Sequence, residues 1–229
     1  MSYSTSSVPK NQIITRPAAF SECSSLKTAV LPSALTEIPK ELFYSYRKLA
    51  KVVFPSGCQI TLIRQDAFSE CISLPAIRLP DHLETVGDRA FYRCKNLKTV
   101  TFPNTLKSIG NQSFYFCGLE NLKLPHSLEY LGDSAFFKCN NLVSVTLPPS
   151  VKYIGKWVFH GCNRLKYLEI RHDPDFIGDW IINRAAAVRC YKGSKVDSYC
   201  RQFGFTVEYL DDSETYRDDK EGKHSENND

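Results

Sequence analysis

The amino-acid sequence predicts an α/β solenoid of about seven to eight short coils, with a parallel β-sheet on one face and short helical or irregular segments on the other. Two recurring landmarks predict this fold. A phenylalanine returns every 22 to 25 residues, and a proline follows each of the first six phenylalanines eleven or twelve residues later. Because two independent landmarks keep one register, chance does not explain the repetition. The phenylalanines are Phe20, Phe43, Phe68, Phe91, Phe114, Phe136 and Phe159, and the prolines are Pro32, Pro55, Pro80, Pro103, Pro125 and Pro148.

Each coil contains one half-buried strand. In residues 97–102, Val100 and Phe102 point to one side of an extended chain, whereas Thr99 and Thr101 point to the other. This alternation is typical of a strand with one buried face. Pro103 follows at once, and because proline has no backbone N–H to donate, it marks the end of the strand.

The rest of the coil returns the chain to the core. Leu106 and Ile109 point inward, and Gly110 permits the bend into the next segment. In residues 90–94, alanine, phenylalanine and cysteine have the spacing i, i+1 and i+4, which places them on one face of a short helical turn. A single coil cannot bury this apolar set alone, so stability requires stacked neighbours that share one core.

Two changes in repeat length fall in or beside turns. Gly57 and Cys58 are two added residues after Pro55, and one residue is missing between Cys117 and Leu119. Loop closure costs little more for one or two residues, whereas a shift inside a strand would turn its core side chains outward. We therefore expect both changes to be tolerated.

The C-terminal end reads as a lid over the last coil. Residues 177–180 repeat the Ile-Gly-x-Trp pattern of residues 154–157, which predicts a degenerate eighth coil, and residues 187–190 read as its final strand. Ser194 is a candidate cap for a helix with one apolar face, and residues 205–210 form a last strand. The predicted division is a partly disordered lead-in at residues 1–18, the solenoid at 19–189, the cap at 190–210 and a disordered acidic tail at 211–229.

Charge and hydropathy narrow the range of partners. The tail has eight acidic and three basic residues, so it carries −5 and the remainder +9 of the net +4. The positive charge is not concentrated in a basic row with stacking aromatics, so we expect no nucleic-acid partner. No apolar run is long enough for a membrane span, and we expect no membrane insertion.

The repeat A-F-x-x-C-x-x-L-x-x-x-x-L-P-x-x-L-x-x-I-G resembles the BspA-type leucine-rich repeats of bacterial and protist surface proteins, from about Ala19 to Leu210. Residues 190–199 also resemble the end caps of bacterial members. The resemblance implies a cell-surface or secreted protein that attaches to host or neighbouring-cell components, commonly extracellular proteins. Residues 1–11 lack the apolar stretch of a secretory signal, and the chain shows no anchor, which leaves a cytoplasmic location open.

The nine cysteines predict packing rather than chemistry. Six of them occupy one repeat position, where Tyr46 replaces the second member, and this exchange argues that sulfur is not required there. Cys190 and Cys200 lie in the cap, and the sequence leaves open whether they form a disulfide. The six are Cys23, Cys71, Cys94, Cys117, Cys139 and Cys162.

The sequence predicts neither an enzyme nor a metal or cofactor site. It contains no C-x-x-C pair, phosphate-binding glycine loop or nucleophile elbow, and nothing assembles a nucleophile, a base and an oxyanion donor. His160 lies near Cys162, but Phe159 and Cys162 belong to the repeat, so we interpret His160 as an exposed variable position between them.

Functional residues are therefore expected at the outward strand positions. These positions are mixed in character, which suits a protein ligand, such as a host or extracellular-matrix component, or a glycan. The main hypothesis is a noncatalytic ligand-binding module that serves protein–protein interaction or cell-surface adhesion, and the alternative is an intracellular scaffold or regulator. The predicted ligand-binding residues are Arg78, Thr99, Thr101, Asn121, Lys123, Ser144, Thr146, Tyr167 and Glu169.

Overall fold

The computed structural model describes residues 25–211, which form a parallel-strand solenoid of about eight turns with a single helix in this range. The lead-in, the landmarks Phe20 and Cys23, and the tail beyond Asp211 lie outside the described residues. The elements are β1 (Thr28–Val30), β2 (Glu37–Ile38), β3 (Lys51–Val53), β4 (Leu62–Ile63), β5 (Ala76–Arg78), β6 (Thr85–Val86), β7 (Thr99–Thr101), β8 (Ser108–Ile109), β9 (Tyr130–Leu131), β10 (Ser144–Leu147), β11 (Tyr153–Ile154), β12 (Tyr167–Ile170), β13 (Phe176–Ile177), β14 (Ala187–Cys190), α1 (Lys195–Phe203) and β15 (Thr206–Tyr209).

The strand face, which we define as the outward side of β1, β3, β5, β7, β10, β12, β14 and β15, is not one continuous sheet. Its strands pair as β1–β3, β5–β7 and β10–β12–β14–β15, all in parallel. The parallel sheet predicted for this face is therefore present, and it is divided into three segments. Both interruptions coincide with the changes in repeat length.

The first interruption, between β3 and β5, has a second cause in Pro75. In the preceding coil the Ala50 N–H donates to the Lys27 carbonyl at 2.8 Å, and in the following coil the Lys98 N–H donates to the Pro75 carbonyl at 2.9 Å. Pro75 occupies the equivalent position but has no N–H, so it cannot donate to the carbonyl of Ala50. Together with the two added residues, this loss separates β3 from β5.

The second interruption falls in the shortened coil. Residues 121–123 form no strand, although the Glu120 N–H still donates to the Lys98 carbonyl at 3.2 Å. The side chain alternation persists, because Leu122 is buried while Asn121 and Lys123 are exposed. The missing residue therefore disrupts backbone pairing without turning the core side chain outward.

A second sheet, which the sequence analysis did not predict, runs through seven consecutive coils. Its order is β2–β4–β6–β8–β9–β11–β13, with each strand only two residues long. In the first six strands the second residue is fully buried: Ile38, Ile63, Val86, Ile109, Leu131 and Ile154. The backbone hydrogen bonds of this seven-stranded sheet therefore join successive coils without interruption from β2 to β13.

The glycine that follows each of the last five strands of this sheet lies against the backbone of the preceding coil. A Cβ atom placed on Gly132 would lie 2.7 Å from the Asn111 nitrogen, and one on Gly155 would lie 2.6 Å from the Asp133 nitrogen. Neither glycine has a positive φ. Glycine is therefore required by the close approach of two backbones, and not by the bend that the sequence analysis assigned to Gly110.

The Ala-Phe-x-x-Cys segments are turns, and within the described residues none of them is helical. Arg89 and Arg93 have φ values of 56° and 59°, in the left-handed region. Their N–H groups donate to the next coil, where the Arg93 N–H reaches the Tyr115 carbonyl at 2.8 Å. The sequence predicted short helical or irregular segments here, and the structure shows irregular ones. Their backbone groups form hydrogen bonds between coils rather than within a helix.

A ladder of stacked phenylalanine rings forms the centre of the core. The rings of Phe68 and Phe91 are 5.0 Å apart, and those of Phe91 and Phe114 are 5.1 Å apart, with planes within 5° of parallel. Every member from Phe43 to Phe159 is fully buried. The landmark that identified the repeat in the sequence is therefore the main packing contact between coils.

The cysteine ladder packs beside these rings, as predicted. The Sγ of Cys94 donates to the Phe68 carbonyl at 3.1 Å, and the Sγ of Cys117 donates to the Phe91 carbonyl at 3.1 Å. Burial raises the pKa of Cys162 to about 12 and raises that of Cys139 as well. Cys139 and Cys162 therefore stay protonated, and the ladder thiols serve as weak hydrogen-bond donors in the core.

We expect the ladder thiols to resist alkylation in the folded protein. Thiolates are the reactive species, and burial both disfavours them and excludes the reagent. Iodoacetamide at pH 8, followed by mass spectrometry, should leave Cys117 and Cys139 unmodified until urea unfolds the chain. Modification of both residues at the same rate in native and unfolded protein would contradict this packing.

The C-terminal elements cover the last coil. The helix α1 begins after Ser194, whose Oγ accepts from the Asp197 N–H at 3.1 Å, and it buries Val196, Tyr199 and Cys200. The strand β15 pairs in parallel with β14. Cys190 and Cys200 lie in the neighbouring elements β14 and α1, and both are buried free thiols. The cap therefore extends the sheet by one strand and closes the core with an amphipathic helix.

The Asp197 carboxylate holds this cap together, although its side chain is only 1% exposed. It accepts from the Gly193 N–H at 2.8 Å, from Arg201 at 2.7 Å and from the Tyr209 hydroxyl at 3.2 Å. The hydrogen bond from Gly193, followed by those from Arg201 and Tyr209, lowers the pKa of Asp197. The ionised carboxylate is thus favoured in the folded state.

We expect the replacement of Asp197 by asparagine to destabilise the cap in a pH-dependent way. A carboxyl whose pKa is lowered by folding stabilises the protein above its unfolded pKa of about 3.9, and that stability is lost as the pH falls through the folded pKa. Urea unfolding should therefore separate the two proteins at pH 7 and bring them together below about pH 4. A difference that stays constant over this range would contradict the role of the charge.

Candidate binding face

The predicted ligand-binding residues fall into two groups on the strand face. Arg78, Thr99 and Thr101 lie on the pair β5–β7, where Arg78 is in register with Thr101. All three residues are exposed. Since the strands are paired, their outward side chains are held at fixed spacing before any partner arrives.

The second group lies on the four-stranded segment. Ser144 is in register with Tyr167, and Thr146 is in register with Glu169. Ser144 and Thr146 are exposed, whereas Tyr167 and Glu169 are half-buried. Glu169 is less available than the sequence suggested, because its carboxylate pairs with Arg171 at 2.8 Å and its side chain is only 12% exposed.

Asn121 and Lys123 separate these two groups. Both point outward, but they lie on the shortened coil and outside any strand. The nine predicted residues therefore do not form one sheet surface. They form two strand patches joined by a non-strand coil.

The sequence analysis missed two residues that extend the second group. Arg189 on β14 stacks on the Tyr167 ring, with its guanidinium carbon 3.6 Å from the ring centroid, and pairs with Glu208 on β15 at 2.7 Å. The hydrogen bond that Arg189 donates to the Glu208 carboxylate raises the pKa of Arg189. Alternation within the predicted strand 187–190 would have placed Arg189 outward, so the signal was present in the sequence.

A cleft opens where β3 and β5 fail to pair. It has a volume of about 470 Å³ and is lined by the ends of these strands and the turns after them. Val53, Phe54 and Pro80 supply apolar surface, while Lys51 and Arg78 supply positive charge. Arg78 also pairs with the exposed Asp81 at 3.2 Å, so one predicted residue lies at the wall of a recess rather than on a flat sheet.

The described residues show neither a metal centre nor a membrane span. Among residues 25–211, no group of three His, Cys, Asp or Glu side chains is placed to hold a metal ion. In the same range, no helix is long and apolar enough to cross a membrane. His160 is half-buried rather than exposed as predicted, because its ring stacks on Phe137 at 5.9 Å.

Short parallel strands on stacked coils, a ladder of buried landmarks and an open strand face define a leucine-rich repeat solenoid. Six copies of the BspA type leucine rich repeat region match residues 2–74 and 61–187. The chain therefore belongs to the family of BspA type leucine-rich repeat proteins. No curated protein matches the chain significantly.

Solved leucine-rich repeat structures are similar to the chain at low sequence identity. A leucine-rich repeat protein from Bacteroides ovatus is 23% identical with a TM-score of 0.51, over 90% of this chain and 69% of that one, and it shows the same fold. The leucine-rich repeat protein of T. pallidum is 26% identical with a TM-score of 0.48, over 88% and 84%. The pneumococcal vaccine antigen PcpA is 17% identical with a TM-score of 0.46, over 81% and 80%.

Proposed function

We propose that the protein is a noncatalytic interaction module that binds a protein ligand through the strand face, in cell-surface adhesion or a related attachment. The observation that carries this proposal is the cluster of Tyr167, Arg189 and Glu208. An aromatic ring and a guanidinium, both half-buried, are stacked at 3.6 Å on the outward side of strands that are paired on both sides. Tyrosine and arginine are the residues that most often dominate binding energy in protein interfaces.

The rigidity of the face supports this function. The outward side chains of β10, β12 and β14 are positioned by backbone pairing, and Arg189 is further held by Glu208. Binding therefore requires little new ordering of side chains, which lowers the entropic cost of association. The mixture of hydroxyl, aromatic and charged groups suits a protein surface better than a polyanionic nucleic acid, which would require a basic row and exposed ring faces.

Site-specific photo-cross-linking tests this proposal. A photoreactive residue at Thr146 or Thr99 should cross-link to a protein from host-cell or matrix extracts, whereas one at Lys107, directly before β8 of the seven-stranded sheet, should not. Lys107 is a matched control because it is exposed and lies on the same solenoid. Equal cross-linking from both sheets, or none from the strand face, would overturn the proposal.

A second candidate is an intracellular scaffold that uses the same face. The eight cysteines of residues 25–211 are all buried free thiols, and this state is the usual one in reducing compartments. External protease treatment of intact cells separates the two candidates. Degradation of the protein supports surface attachment, and complete protection supports the scaffold.

A further inference from the structure

The turn side of the solenoid carries a second open groove, separate from the strand face. We name it the turn-side groove; it has a volume of about 530 Å³ and crosses four consecutive coils. Its rings are Tyr92, Tyr115 and Phe116, and its floor includes Gly161. Its charged and amide side chains are Arg93, Lys138, Asn140 and Asn163.

The polar groups that line the groove are almost all hydrogen-bond donors. Lys138 makes no ion pair within residues 25–211, and Arg93 has only a long contact of 3.9 Å to Glu70. The amide oxygen of Asn140 accepts from the Asn163 N–H at 3.4 Å, and the amide oxygen of Asn163 accepts from the Asn183 side chain at 3.2 Å. Both NH₂ groups are thus left as donors. No carboxylate lines the groove.

Two of the three rings of the groove, those of Tyr92 and Tyr115, present edges to solvent and not faces. Tyr92 stacks on Tyr115 at 4.9 Å, and Tyr115 stacks on Phe137 at 5.0 Å, so their faces are covered by one another. The guanidinium of Arg89 covers the other face of Tyr92 at 4.4 Å, and the ammonium of Lys95 lies 5.4 Å from the centre of the Phe116 ring. Ring edges are electropositive, so this ladder adds to the attraction for oxyanions.

From this geometry we propose that the turn-side groove binds a linear acidic polysaccharide, with carboxylate or sulfate groups on Arg93 and Lys138 and sugar hydroxyls on the asparagine amides. The two cations lie two coils apart, at roughly 10 Å for a coil rise of about 4.8 Å. A chain that lies along the solenoid axis would therefore meet both cations at once. Hydroxyls can accept as well as donate, which matches a lining of donors.

Two other polyanions fit this lining less well. A single-stranded nucleic acid gains affinity by stacking its bases on aromatic faces, and both faces of Tyr92 and of Tyr115 are already covered. An acidic peptide carries one backbone N–H per residue, and a donor-rich lining leaves those N–H groups without acceptors. The acidic polysaccharide is the class whose groups the lining satisfies.

The test measures fluorescence anisotropy of labelled oligosaccharides in 0.15 M salt, with the full chain. The probes are a heparin hexasaccharide, a polygalacturonate hexasaccharide, neutral maltohexaose, hexathymidylate and hexaglutamate. We expect both acidic sugars to bind, maltohexaose not to bind, and the nucleotide and peptide to bind at least about tenfold more weakly, because they lack matching hydrogen bonds. No binding of either acidic sugar, or equally tight binding of hexathymidylate or hexaglutamate, overturns the proposal.

A pair of charge-matched variants locates the site. Arg93→Gln with Lys138→Gln should weaken binding of the acidic sugars about tenfold or more, since two charge-assisted contacts are lost. Lys107→Gln with Lys152→Gln, at the positions directly before β8 and β11, removes the same charge and should leave binding within about twofold. Equal losses of affinity in both variants would show that binding depends on net charge alone, and this result would overturn the site. Cross-linking from Thr146 should be unchanged in the Arg93 and Lys138 variant, which separates this proposal from the strand face.

Discussion

Replacement of Phe91 by alanine is expected to lower the free energy of unfolding by about 3–5 kcal/mol. The Phe91 ring is fully buried between the rings of Phe68 and Phe114, at 5.0 and 5.1 Å. Alanine would remove two ring contacts and leave a cavity that the rigid neighbouring coils cannot fill. Urea unfolding, followed by both tryptophan fluorescence and circular dichroism, measures the loss.

Tyr44 supplies the control for this prediction. It occupies the position directly after Phe43 in the repeat, and its ring is 46% exposed. Its replacement by alanine should cost less than about 1 kcal/mol, as for other surface positions. A cost for Phe91→Ala as small as that for Tyr44→Ala would show that the phenylalanine ladder does not join the coils.

Replacement of Gly132 by alanine is the second large effect, with an expected loss of about 1–3 kcal/mol or more. A Cβ at this position would lie 2.7 Å from both the Asn111 nitrogen and the Gly110 carbonyl carbon. These are backbone atoms in the seven-stranded sheet region, so neither can rotate away. The coils must move apart locally, which lengthens the hydrogen bond from the Gly132 N–H to the Ile109 carbonyl, now 2.8 Å.

Gly57 distinguishes crowding from backbone conformation. It has a φ of 68°, but a Cβ there would meet no atom within 4 Å. Gly57→Ala should therefore cost only the left-handed conformation, about 1–2 kcal/mol. If thermal unfolding shows Gly132→Ala to be as stable as the unmodified protein, the close approach of the coil backbones is incorrect.

The core of this fold could be predicted from the sequence because the same buried positions recur from coil to coil. Phe91, Cys94, Val100, Leu106 and Ile109 recur in every regular coil, and each of them is buried. A register that is kept over six intervals leaves few alternatives for which side chains face inward. The helix after Ser194 was predictable for a related reason, since its cap and its apolar face are local signals.

The continuity of each sheet could not be predicted in the same way. Strands of two residues, such as β8 and β9, are too short to show an alternating pattern, although they form the longest sheet. The gap between β3 and β5 depends on one missing N–H at Pro75, which has no visible effect on hydrophobic periodicity. Backbone pairing between coils is a tertiary property. It depends on individual residues, such as a single proline, that a consensus of the repeat does not show.

The candidate binding face could be predicted only in part from the sequence. The outward positions followed from alternation, but the stacking of Arg189 on Tyr167 depends on the register of a degenerate coil. The burial of Glu169 by Arg171 depends on a side chain that does not belong to the repeat. A periodic pattern shows which side chains leave the core, and the structure shows which of them remain available.

The most direct test of the central claim is the affinity of the cross-linked partner for the variant Tyr167→Ala. Loss of this ring also removes the support under Arg189, so the account predicts weakening of at least about tenfold, as for a central interface residue. Tyr153→Ala on the seven-stranded sheet is the matched control and should bind as the unmodified protein does. Unchanged affinity for Tyr167→Ala, with the fold intact by circular dichroism, would contradict binding through the strand face.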